Sequence, residues 1–159
     1  MVRNIPVRYK EKHLEKELGI LKGKYDCIYM PYDFENDANK GYAFINLIHP
    51  LHILYLYELF HCKTWQYFAS FKVCELNYAK NQGIKEITNL AMSYDKKRKP
   101  NFYDCSEANS NPIIEVPMKY YNKIRTQFPN LKLEIIEKNR LFGVNKNDYD
   151  KLAKLSNNK

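Results

Sequence analysis

The chain has 159 residues, enough for one domain plus an extension, and its 45% hydrophobic content suffices for a modest core. A formal charge of +8 favours polyanionic partners without choosing among RNA, DNA and an anionic membrane. No apolar run is long enough to span a bilayer, and Met1-Val2-Arg3-Asn4 lacks the apolar stretch of a secretory signal. The expectation is a soluble protein of the nucleus or cytoplasm with no membrane partner.

Met1 to Ile5 reads as a short strand ended by Pro6. A helical pattern follows, with Leu14, Leu18 and Leu21 on one side and Glu11, Glu15 and Lys16 outside; Gly19 and Gly23 bracket its end. Tyr25 to Met30 is rich in strand formers, and Pro31 closes it. Asp33 to Asn39 is acidic, polar and loop-like. Tyr42 to Ile48 reads as a strand. Pro50 opens a second helix through Phe60, with Leu51, Leu54, Tyr55 and Leu59 as its apolar side. Phe71 to Ala79 is the last strand. The order βαββαβ predicts an α+β, ferredoxin-like sandwich: a four-stranded antiparallel sheet with both helices on one face. The other face is then free to bind.

The third strand carries Lys40-Gly41-Tyr42-Ala43-Phe44-Ile45-Asn46-Leu47. This matches the ribonucleoprotein octapeptide at its first five positions, with Ile45 for Val, and departs from it at Leu47. Alternation places Lys40, Tyr42 and Phe44 on one face and Ala43, Ile45 and Leu47 on the other. Two outward rings can stack unpaired bases, Lys40 can contact phosphate, and Gly41 spares the backbone a Cβ clash. An ordinary core strand can also read glycine followed by apolar residues. The position of this one, third in a βαββαβ order, weighs for the binding role.

On the first strand the usual stacking aromatic is replaced by Met1, which can cover a base face weakly. Arg3 shares that face and can stack on a base or bind phosphate. The chain starts inside what should be a central strand, so either the strand is short or residues before Met1 belong to it. Tyr29 is expected on the open face, to stack a base or to pack against the adjacent loop. On the fourth strand Asn77 and Lys80 are expected toward the ligand, whereas Leu76 and Tyr78 should face the helices. Trp65 reads as a packing anchor.

Val2-Arg3-Asn4-Ile5-Pro6, Gly23-Lys24-Tyr25-Asp26, Tyr29-Met30-Pro31-Tyr32-Asp33-Phe34 and Gly41-Tyr42-Ala43-Phe44-Ile45-Asn46 together resemble the C-terminal RNA recognition motif of Mei-two-like meiosis regulators. Lys72-Val73, Tyr78-Ala79-Lys80 and Gln82-Gly83 fit the same pattern, so the resemblance covers about the first hundred residues. It implies single-stranded RNA as partner and a part in post-transcriptional control. It also implies a helix over Gly83 to Met92, for which Ile84, Ile87, Leu90 and Ala91 supply an apolar side. That helix can lie beside the sheet or partly cover the RNA face.

Residues 1–94 are thus expected to form the domain, and 95–159 a basic linker and an extension. Asp95-Lys96-Lys97-Arg98-Lys99 can add to RNA binding, act as an import signal, or be a solvated linker. Ser106 to Asn111 reads as loop, Pro117 to Phe128 as helix, Leu131 to Ile136 as strand, and Tyr149 to Leu155 as helix. The extension is a candidate surface for a protein partner.

Catalytic motifs are missing: there is no GxSxG, P-loop or HExxH. His13, His49, His52 and His61 lack a full set of metal ligands, and Asp33, Glu35 and Asp37 lack the calcium-loop pattern. Cys27, Cys62, Cys74 and Cys105 have no zinc spacing and are expected reduced and mostly buried. A binding protein without cofactor or metal is expected, not an enzyme. A protein-interaction module on the same fold is the alternative to RNA binding.

Overall fold

The computed structural model describes residues 1–94, 98–106 and 112–136. Residues 95–97 of the basic run, 107–111 of the polar cluster and the helix expected over 149–155 lie outside the described residues.

Five strands form the main sheet. They are β1 (Val2–Arg3), β2 (Tyr25–Tyr29), β5 (Tyr42–Leu47), β6 (Glu75–Leu76) and β7 (Asn101–Phe102), in the order β6-β1-β5-β2-β7. Every neighbouring pair runs antiparallel. The first four are the strands expected from βαββαβ; β7 comes from the extension and was not foreseen.

Strand β1 is central and very short. Val2 pairs with Ala43 on one side and Leu76 on the other, and Arg3 with Tyr42 and Glu75. The strand stops where Asn4 turns to φ 60°, a left-handed conformation that Asn tolerates better than most residues. There its amide donates to the carbonyl of Val73 (3.0 Å). The last strand is also shorter than expected. Residues before Cys74 fold back as a hairpin through a bridge between Thr64 and Val73.

The acidic stretch after β2 is not a plain loop. β3 (Tyr32–Asp33) and β4 (Ala38–Asn39) pair as a hairpin. The Asp33 carboxylate accepts from the backbone N–H of Glu35 and Asn36 and from the Asn36 amide, and Asp37 pairs with Lys10 at 3.0 Å. These hydrogen bonds hold Asp33 below the usual carboxylate range. Among the described residues no group of His, Cys, Asp and Glu could hold a metal ion.

Helices α1 (Glu11–Glu17) and α2 (His52–Phe60) cover one face of the sheet. The core between them contains Val2, Ile5, Leu14, Leu18, Leu21, Ile28, Ala43, Tyr55, Leu56 and Leu76. α1 starts where the Lys10 N–H donates to His13 Nδ1 (2.9 Å), which gives His13 a structural task. It tightens into a 3-10 turn over Leu18–Leu21 and leaves through Gly23 at φ 80°. Trp65 is buried edge-on against Tyr9 (5.4 Å), the anchor expected of it. Cys27, Cys74 and Cys105 are buried free thiols, and Cys62 is an exposed one. No helix among the described residues is long and apolar enough to cross a membrane.

Beyond α3 (Ile84–Tyr94) the chain straps the edge of β2. Arg98 pairs with Glu11 at 3.0 Å, both side chains largely buried, and lies 4.6 Å over the Tyr32 ring. This member of the basic run is therefore committed to the fold and is not free for phosphate. Asn101 and Tyr103 both donate to Glu15 Oε1, and the Cys105 thiol donates to the Tyr25 carbonyl.

A small β-α-β unit follows. β8 (Ile114–Val116) and β9 (Leu133–Ile135) pair in parallel, joined by α4 (Met118–Gln127). Arg125 closes α4 by donating to the carbonyls of Pro129 and Leu131 and to the Tyr121 hydroxyl. Ile114, Val116, Ile124 and Leu133 pack against Leu54 of α2 and Leu51 just before it. The apolar side read on α2 is thus two sides. Tyr55 and Leu59 join the sheet core, while Leu51 and Leu54 serve the extension.

His52 sits at this junction, 1% exposed, and neither ring nitrogen has a hydrogen-bond partner. Burial, then the charges of Lys24 and His49, hold its pKa down at about 4. The unfolded chain binds that proton near the ordinary value of about 6.5. Stability from the neutral ring is therefore complete above that pH and is lost as pH falls from there toward 4. Between pH 7 and pH 5 wild type should lose about 2 kcal/mol more than His52→Leu in urea unfolding. Equal losses would mean that His52 is not held neutral in the folded state.

Candidate nucleic-acid interface

The octapeptide lies on β5, between β1 and β2. Its entry is fixed by Asn39, whose buried amide donates to the carbonyls of Pro6, Val7 and Tyr9 (2.7–3.0 Å). The Asn39 side-chain oxygen accepts from the Gly41 N–H (2.7 Å), and the Gly41 carbonyl accepts from Ile5 (2.9 Å). Gly41 has φ 82°, so glycine is needed there for its backbone angle. A Cβ would come no closer than 4.0 Å to Ile5 O, so the expected clash is not the reason.

Alternation on β5 is as expected: Ala43 is fully buried toward the helices, and Tyr42 and Phe44 point the other way, both half-buried. Their rings meet edge to face at 5.8 Å. Phe44 also lies nearly parallel to Tyr29, centroids 6.3 Å apart, because the two residues pair across β5 and β2. Arg3 lies opposite Tyr42 on β1, exposed, with Glu75 beyond it at 3.8 Å. That ion pair is solvated on both sides and worth well under about 1 kcal/mol, so it can be exchanged for a phosphate. Met1 and Asn77 bond through both backbone groups (2.8 and 3.0 Å), which leaves the Asn77 side chain exposed. Lys40, which leads into β5, and Lys80, beyond the end of β6, are both exposed.

The structure departs from expectation in two places. Tyr29 does face away from the helices, but it is 0% exposed. Helix α3 lies on it: Ile87 and Ala91 form a buried cluster with Cys27, Tyr29 and the edge of Phe44. The predicted helix exists, and it covers the β2 half of the face. The second departure is Tyr78, expected in the core and in fact 80% exposed. β6 ends at Leu76, so strict alternation does not carry on to Tyr78. Tyr94, exposed at the end of α3, lies with its ring 5.8 Å from the Lys40 ammonium. Burial and the nearby Tyr94 raise the pKa of Tyr42, so its ring stays neutral at physiological pH.

An antiparallel sheet in this strand order, with helices behind it and an aromatic octapeptide in the middle, defines the RNA recognition motif class. The family model described as RNA recognition motif 2 matches residues 1–95, more than half of the chain, and the chain belongs to that family. It is similar to Protein MEI2-like 4 of Oryza sativa subsp. japonica, with 40% identity over 124 residues, 74% of this chain and 12% of the relative. Protein MEI2-like 4 of Arabidopsis thaliana is 39% identical over 124 residues, 74% of this chain and 14% of the relative. Protein MEI2-like 2 of Oryza sativa subsp. japonica is 43% identical over 103 residues, 62% of this chain and 12% of the relative. The chain spans about an eighth of the length of these curated relatives. An aligned length of 124 residues carries the similarity past the family model's end at residue 95 and into the extension.

Proposed function

We propose that this chain binds single-stranded RNA on the β6-β1-β5 part of the sheet, through Tyr42 and Phe44 as stacking rings and Arg3, Lys40 and Lys80 as phosphate contacts. The observation that carries this reading is the outward row of Arg3 and Tyr42, with Phe44 beside it, on the central strands of a basic chain. Asn77 and Met1 border the row and supply base-edge and apolar contacts. Post-transcriptional regulation in the nucleus or cytoplasm is the role that goes with such binding. The folding unit on this reading runs from Met1 to Ile136, because β7 and β8 share their cores with the sheet and with α2.

The test is an anisotropy titration of a randomised single-stranded RNA at two salt concentrations. Tyr42→Ala should cost about 1–3 kcal/mol of binding with little change in stability. Phe44→Ala should weaken binding similarly but also destabilise the fold by about 1 kcal/mol or more, because Phe44 packs beneath α3. Affinity should fall as salt rises. A protein-interaction module is favoured by one observation, the covering of Tyr29 by α3. Folded wild type that fails to bind RNA would decide for that module.

A further inference from the structure

Helix α3 is held to the sheet by one stripe. Ile87 and Ala91 are 3% and 1% exposed, a turn apart, on Cys27, Tyr29 and Phe44. Helical geometry puts Tyr94 on the same stripe, seven residues after Ile87 and three after Ala91. A ring on the buried side of a helix is normally buried. Tyr94 is 60% exposed because the stripe there has passed the covered β2 half and reached the open part of the sheet. Near it are Lys40, whose ammonium lies 5.8 Å from the ring, and the half-buried Tyr42. Arg3 stands opposite Tyr42 on the next strand.

We infer that Tyr94 is a base-stacking residue of the RNA interface: α3 stays on the sheet as a wall, and Tyr94, Tyr42, Arg3 and Lys40 together form one nucleotide site. The inference rests on the RNA-binding reading above and extends it to a residue outside the octapeptide. The occupant follows from the chemistry of the site. Two flat aromatic rings stack a base without regard to its identity, and Lys40 and Arg3 donate to its phosphates. The site also gives α3 a task other than occlusion. Covering Tyr29 removes one stacking ring from the sheet, and Tyr94 returns another beside Tyr42. An RNA strand is thereby directed across β6, β1 and β5 and away from β2.

The experiment is the same RNA titration with Tyr94→Ala, Tyr94→Phe, Tyr42→Ala and Ile87→Glu, each checked for thermal unfolding. The expected result is that Tyr94→Ala weakens binding about 10-fold at unchanged thermal midpoint, while Tyr94→Phe stays within about twofold of wild type. Ile87→Glu, which places a charge in the buried contact, should detach α3 and also weaken binding. RNA bearing 2-aminopurine should be quenched on binding wild type and less so on binding Tyr94→Ala. Loss of affinity in Tyr42→Ala with full affinity in Tyr94→Ala would overturn the inference and leave the RNA-binding reading standing. Tighter binding by Ile87→Glu would overturn it in favour of a lid that must lift. Wild type that binds no RNA would sink both.

Discussion

A fragment ending at Tyr94, the boundary the sequence suggests, should fail to unfold cooperatively or should do so at a much lower denaturant concentration than the full chain. Cutting there removes what covers α2 on its second side. Leu51 and Leu54, which pack against Ile114, Val116 and Leu133, would face water. Losing that contact costs on the order of 3 kcal/mol in apolar burial. The edge of β2 would lose the pairing of Cys27 and Ile28 with Phe102 and Asn101. Glu11 and Glu15 would lose Arg98, Asn101 and Tyr103, leaving two half-enclosed carboxylates on α1 without donors. Together these losses rival the whole stability of an ordinary domain, roughly 5–15 kcal/mol. A second fragment ending at Ser106 keeps the strap and loses only the β-α-β unit, so it should fall between the two. Circular dichroism followed through urea for the three chains reads this directly. A 1–94 fragment as stable as the full chain would mean that the extension is an ornament on a complete domain.

That boundary shows where sequence reasoning stops. The strands and helices of the first ninety residues were legible because each carries a local signal. Gly and Pro punctuate them, and Ala43 against Tyr42 and Phe44 reports the two faces of β5. The placement of Arg3 beside Tyr42 follows from the same alternation. What was not legible depends on a partner distant in the chain. Ile87 and Ala91 make a visible apolar stripe, but nothing local says that the stripe lands on Tyr29. Leu51 and Leu54 look like core because they are core, for an element far along the chain that begins at Ile114. β7 and β8 are two and three residues long, too short for a periodic pattern to register. Alternation puts Tyr78 in the core only if the strand runs on, and β6 stops two residues short of it. Arg98 looked like part of a phosphate-binding run, since sequence cannot see that Glu11 and Tyr32 already hold it.

Replacing Glu115 by Ala should destabilise the protein by about 2–4 kcal/mol, because it breaks a largely buried ion pair. Glu115 of β8 accepts from Lys24 at 2.5 Å, with the two side chains 11% and 18% exposed. Lys24 precedes β2, so this ion pair joins the extension to the sheet as well as to α2. Removing the carboxylate strands a lysine that is mostly out of water, and desolvation of that charge is the main cost. The loss stays below that of a fully enclosed pair. Lys24 keeps some contact with solvent, and its ammonium lies 5.5 Å from the Tyr55 ring, which still attracts it. Replacing both partners by apolar residues, Lys24→Met with Glu115→Met, should recover most of the loss, because neither charge then remains to be desolvated. The double variant carries an independent signature at His52. Lys24 is one of the charges that hold the His52 pKa down. Its removal should move that pKa upward, so the acid loss of stability still begins near the unfolded value of about 6.5 but ends at higher pH and is smaller. Urea midpoints of wild type, Glu115→Ala and the double variant at pH 7, with the His52 ring followed by NMR titration, measure both effects. A double variant no more stable than Glu115→Ala would show that Lys24 and Glu115 are coupled by more than their charges.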